Sequence, residues 1–140
     1  MRMVFARDVI DREALFADLL IAAPDARLKL GLPVWGGIVW RIGKRALQLH
    51  LSGVTELDAA AAQAWGIVDA VTDDPDAWLA GRSGRALDAA ASLIALRGGD
   101  ALERATFAGL FATGEPQEGL RAFLDKRKPR FECRVARTED

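Results

Sequence analysis

Apolar positions along this chain change rhythm several times, and each change marks an element. In ADLLIAAPDARL a short unbroken apolar run over residues 19–23 has the length of a buried strand, and Pro24-Asp25 closes it as a turn. KLGLPVWGG is punctuated by Gly31, Pro33, Gly36 and Gly37, which predicts a loop that ends by starting a helix. That helix is expected over 37–51, broken at Gly43. SGVTELDAAAAQAWGIVDAV predicts a loop, a helix capped by Thr55 or Asp58, and a short strand over 67–71. Pro75 stands where a helix begins. Residues 77–96 then carry Trp78, Leu87, Ala91 and Ile94 near helical spacing, with Gly81 and Gly84 weakening the first turns and Gly98-Gly99 ending them. A further helix is expected over 100–112, and Pro116 opens the last one, which sets Leu120, Phe123 and Leu124 on one side. The order is a few strand fragments followed by mostly helix, an α/β pattern. No strand–helix–strand series long enough for a complete parallel sheet is visible, and short strands need neighbours to satisfy their edges.

Composition narrows the class. With 140 residues, half of them hydrophobic, the chain can bury one modest core and is not a disordered sequence. A formal charge of −1 lacks the overall field of a nucleic-acid binder, so basic surface must be local, as at Lys126, Arg127, Lys128 and Arg130. Cys133 is the only cysteine, which excludes an intrachain disulfide, and beside a single histidine, His50, it gives no expectation of a metal site. Arg7, Asp8, Asp11 and Arg12 interrupt any secretory apolar segment, and no apolar run approaches the ~20 residues that span a bilayer. A cytoplasmic protein without nucleic-acid or membrane partners is expected.

Four pieces in register, ADLLIAAPDARL, LGLPVWGG, LSGVTELDAAAAQAWGIVDAV and FAGLFATGEPQEGLRAFLDKRKPRF, resemble the C-terminal part of the crotonase superfamily, the enoyl-CoA hydratase/isomerase proteins. The resemblance covers residues 17–131 and is most specific in its last piece. It implies a truncated crotonase-like (ClpP/crotonase) α/β fold as a single domain over 1–140. Residues 17–74 would end the core, 75–131 form C-terminal oligomerisation helices, and 132–140 form a tail. It also implies acyl-CoA as ligand, with coenzyme A present only as part of the thioester substrate, no covalently bound cofactor and no metal. Partners would be further copies in a trimer or hexamer, or a crotonase partner in a hetero-oligomer.

Carried over residue by residue, Phe107 and Phe123 match aromatics near the adenine and pantetheine of CoA, and Lys126 matches a lysine at the nucleotide end. An aromatic face covers a base and a mobile ammonium neutralises phosphate. Without the resemblance, both phenylalanines read as core and residues 126–130 as a solvated helix end favoured by the dipole. Trp35 falls in the loop that lines the family's acyl pocket, and Gly36 and Gly37 would expose backbone N–H groups at a helix N-terminus, where negative charge is favoured. The plainer reading of the glycine pair is a turn. Trp40, Trp65 and Trp78 read as core or interface fillers, Ile67, Val68 and Val71 as core, and Ser52-Gly53 with the Asp58 helix as structural.

The catalytic parts of the family are not matched. DVIDREALFADLL contains no glycine where the family places an oxyanion-hole turn. Arg12 occupies the register of the first catalytic glutamate, with Glu13 one residue off. Residues 23–37 are shorter than the family pattern, so the second glutamate has no counterpart. Glu13 is then either a displaced acid or an exposed helical glutamate, and His50 either a base or a helix-surface or packing residue. Two functions follow: a hydratase or isomerase that needs a partner subunit for catalysis, or a non-catalytic CoA-binding or assembly subunit or remnant. A helical interaction module with a basic end is a third reading, unrelated to the family.

Overall fold

Met3 to Ala6 form an apolar run between Arg2 and Arg7, and the computed structural model of the chain makes it the second strand from one edge of a sheet. The structure describes residues 1–96 and 99–131, together with the backbone of 136–139. Gly98 and Cys133 lie outside these residues. Strand β1 (Arg2–Ala6) pairs in parallel with β2 (Leu19–Ala22), Val4 opposite Leu20. Two more strands, β3 (Arg27–Lys29) and β4 (Glu56–Asp58), form a separate antiparallel pair. Short β5 (Ala70–Val71) continues the main sheet beside β2, and β6 (Ala136–Glu139) closes the other side beside β1. The main sheet is therefore four parallel strands in the order β5-β2-β1-β6.

A small parallel sheet thus assembles although the pattern shows no strand–helix–strand series long enough for a complete one. Strand β1 carries the apolar run of a buried strand, whereas β6, ARTE, is polar and belongs through backbone pairing rather than pattern. The strand expected over 67–71 shortens to β5, because Ile67 and Val68 leave the preceding helix by donating to Ala62 O.

The chain divides into two compact units, one of Arg2–Trp78 with β6, the other of Met1 with Leu79–Val135. In the first, Val4, Ala6, Leu20 and Ala22 face a core completed by Leu15, Ile38, Leu49, Leu57, Ile67 and Val68. Met3, Phe5 and Ile21, which point the other way along the same strands, are buried too. Burial on both faces is what a parallel sheet requires. The expected helix over 37–51 is two helices, α1 (Trp35–Ile42) and α2 (Arg45–Leu51), separated where Gly43 takes a positive φ of 55°. Helix α3 (Ala59–Trp65) is capped by Asp58, whose carboxylate accepts from Ala61 N at 2.7 Å.

Helix α4 (Pro75–Leu79) leads toward the second unit, and the chain then turns at Gly81 with φ +78°. This residue splits the helix expected over 77–96, so α5 (Gly84–Ala95) starts afresh with Ser83 as its cap, accepting from Ala86 N at 3.0 Å. Helices α6 (Asp100–Phe111) and α7 (Glu115–Leu124) follow. No residue of α6 is buried, and only Ala122 is buried on α7. The helical unit thus supplies none of the core cluster.

Candidate functional site

The first unit carries the loop-side candidates. Helix α1 begins at Trp35, so Gly36 and Gly37 lie inside its first turn rather than ahead of it. Their amides are among the helix's first N–H groups, which have no intrahelical partner. The two glycines differ sharply in surroundings. Gly36 has open space where a side chain would be, whereas a Cβ on Gly37 would meet Leu15 Cβ at 2.5 Å. Gly37 lets α1 press onto the 3-10 turn Ala14–Phe16. Trp35 is half-buried against the core and meets His50 edge-on at 5.0 Å between ring centroids. His50 is exposed on α2. Glu13 is exposed at the start of the 3-10 turn and makes no side-chain capping bond.

A guanidinium fixes α1 to the sheet. Arg41, with only 7% of its side chain exposed, donates to Ala17 O at 2.9 Å and pairs with Asp69. The Asp69 carboxylate also accepts from Leu20 N at 2.7 Å. One short-chain acid therefore joins β2, α1 and the approach to β5. Among the described residues, Arg41 Nε is buried with no hydrogen-bond partner.

The helical unit carries the others. Phe107 on α6 is 62% exposed and stands edge-on to Phe111 at 5.2 Å. With Ala86, Ala89, Leu93 and Leu110 it lines a groove of about 600 Å³ between α5 and α6. Phe123 on α7 is 79% exposed, so the reading of both phenylalanines as core is excluded. Lys126 follows the C-terminus of α7 and is exposed.

The basic run 126–130 is not a uniformly solvated helix end. Glu118 Oε1 and Oε2 accept from Arg127 Nη1 at 2.7 Å and Nη2 at 3.0 Å, a forked pair. Glu118 Oε1 also accepts from Arg130 N at 2.8 Å. These donors hold the Glu118 carboxyl well below its ordinary range, at about 2, with Arg127 the larger cause and Arg130 the second. Arg127 is pushed up in return, first by Glu118. Sequence reasoning passed over Glu118 as a functional residue because it lies nine positions from Arg127, a spacing that no helical-pair rule connects.

No family model matches the chain. A probable enoyl-CoA hydratase of Mycobacterium bovis is 35% identical over 84% of this chain and 55% of its own length. A probable enoyl-CoA hydratase of Mycobacterium leprae is 36% identical over the same shares. Among solved structures, an enoyl-CoA hydratase subunit I from Geobacillus kaustophilus superposes with a TM-score of 0.61 at 28% identity, covering 92% of this chain and 60% of that one. The chain has the crotonase fold, over part of its length in these proteins. An enoyl-CoA hydratase/isomerase from Cupriavidus metallidurans, at 24% identity and a TM-score of 0.64, shares the fold over 95% of the chain. The crotonase-like chain spans about half the length of the curated relatives it matches. Among its described residues, no helix is long and apolar enough to cross a membrane, and no group of three or more His, Cys, Asp or Glu side chains could hold a metal ion.

Proposed function

We propose that this chain binds acyl-CoA thioesters as an enoyl-CoA hydratase/isomerase-like protein and depends on a partner subunit for catalysis. The observation that carries the reading is the match to relatives named enoyl-CoA hydratase over 84% of the chain. The exposure of Phe107, Phe123 and Lys126 supports it, because a ligand can reach all three. An aromatic face and an ammonium suit the adenine and the phosphates of CoA. In the first unit, the free amides at the start of α1 and the half-buried Trp35 beside them suit the thioester end.

Dependence on a partner follows from the acid/base chemistry. Water addition to an enoyl thioester needs one group to activate water and one to deliver a proton, within hydrogen-bond reach of the substrate. Glu13, the only displaced candidate in the first unit, is exposed and stands in solvent. The helical unit offers an apolar surface for such a partner, either further copies in a trimer or hexamer or a different crotonase subunit. Phe107, Phe111, Leu120, Phe123 and Leu124 are all at least half exposed.

The test is hydration of crotonyl-CoA together with CoA calorimetry on one preparation. Expected are CoA binding and no turnover by the chain alone. Turnover by the chain alone removes the partner requirement, and an absence of CoA binding removes the reading. Binding without turnover in the presence of any crotonase partner would leave the chain a non-catalytic CoA-binding subunit.

A further inference from the structure

Helix α7 ends in a way that favours glycine, yet it has a lysine there. Lys126 N donates to Phe123 O at 3.2 Å and Arg127 N to Ala122 O at 3.0 Å. These two bonds define a Schellman ending, whose first residue beyond the cap is left-handed and is usually glycine. Lys126 takes that position with φ +52°, and among the described residues it alone has a positive φ without being glycine. A side chain in this conformation is strained, because its Cβ crowds the neighbouring backbone. Such strain persists only where the surroundings over-determine it, and it points to a side chain kept for what it does.

The surroundings here are Glu118 and its partners. The carboxylate, one turn into α7, grips the Arg127 guanidinium by both oxygens and the Arg130 amide by one. Asp125 accepts from Arg127 Nε at 3.3 Å, and the Phe131 ring lies 3.6 Å from where a Cβ on Gly119 would be. The segment after the helix is thus folded back along it. Arg127 is neutralised by this arrangement, whereas Lys126 and Lys128 remain exposed and make no ion pair among the described residues. Of the adjacent cations, one holds the turn and its neighbour is free to meet an anion.

We propose that Glu118 is a positioning residue: by forking to Arg127 and holding the Arg130 backbone, it keeps Lys126 in the left-handed position from which the ammonium meets the phosphates of coenzyme A. The inference rests on the CoA reading above and adds to it a residue that touches no ligand. A planar fork on Arg127 is essential to it, because a lysine there would present a point charge to one oxygen only.

Calorimetric titration of the full chain with coenzyme A, and separately with pantetheine, which lacks the phosphates, tests it. K126G relaxes the backbone and removes the ammonium, so it is expected to raise the melting temperature while weakening CoA on the order of tenfold, a loss of about 1.4 kcal/mol. E118Q and R127K are expected to weaken CoA several-fold, with pantetheine affinity unchanged in every variant. E118Q added to K126G is expected to cost nothing further, because Glu118 acts through Lys126. If the unmodified chain binds CoA and E118Q binds it equally well, the inference falls and the CoA reading stands. Additive losses in the double variant likewise overturn the positioning role. If the unmodified chain does not bind CoA, both fall together.

Discussion

A methyl group placed on Gly37 lands 2.5 Å from Leu15 Cβ, whereas one placed on Gly36 meets nothing within 4 Å. The obstruction at Gly37 is the first atom of a side chain attached to a buried turn, so it cannot swing away. Gly37→Ala is expected to destabilise the chain by about 1–3 kcal/mol, the usual range for overpacking. Gly36→Ala is expected to stabilise it by up to about 1 kcal/mol, because alanine is the better helix former. Urea unfolding of the two variants checks this, and equal effects would sink the account of the glycine pair. The same comparison shows what periodicity could and could not reveal here. Paired glycines announced a local need for backbone freedom. That the need belongs to Gly37 depends on Leu15, 22 positions away in sequence, which no local pattern reports.

At the level of elements, two acids each connect pieces that are far apart in the chain. Asp69 accepts from Leu20 N and pairs with the nearly buried Arg41 of α1. Asp69→Ala would leave that guanidinium without its carboxylate and is expected to cost about 1.5–3 kcal/mol in urea unfolding, as for hydrogen bonds to charged groups. A loss below half of that would mean that Arg41 finds another partner. Glu118 does the corresponding work around α7, and its effect on stability has a definite sign with pH. Its carboxyl sits at about 2 in the folded chain against an ordinary 4.5, so its contribution is complete above pH 4.5. As pH falls from 4.5 toward 2, that contribution is lost progressively. A carboxyl-carbon NMR titration should give a Glu118 midpoint near 2; a midpoint near 4.5 would mean that the fork is open in solution. Helix ends such as the Asp58 cap and the Pro116 start were legible because caps and helix-starting prolines act within four residues. The strands β3 and β4, three residues each, and the polar β6 were not legible, because their membership rests on backbone pairing with distant segments.

For the whole molecule, the decisive contrast is between a unit with a core and a unit almost without one. Val4, Leu20, Ile38, Leu49 and Ile67 are fully buried in the first, while α6 in the second buries no residue and exposes Leu102, Phe107 and Phe111. A helix of this length is marginal in water on propensity alone, so its stability must come from packing of an apolar face. Local opening free energy should therefore differ strongly along the chain. Amide hydrogen exchange on a dilute sample is expected to protect β1 and β2 to the limit of global unfolding, with α6 exchanging many-fold faster. Raising the concentration, or adding a crotonase partner, is expected to slow exchange in α6 and α7 selectively, because a covered apolar face gains the packing that the isolated unit lacks. Leu120→Glu together with Phe123→Glu should abolish that selective slowing while leaving β1 and β2 unchanged. If α6 is already as protected as β2 in dilute solution, the helical unit is stable by itself and its apolar surface does not require a subunit to cover it. That result would remove the exposed apolar face as an argument for a partner and leave that dependence resting on the acid/base chemistry alone.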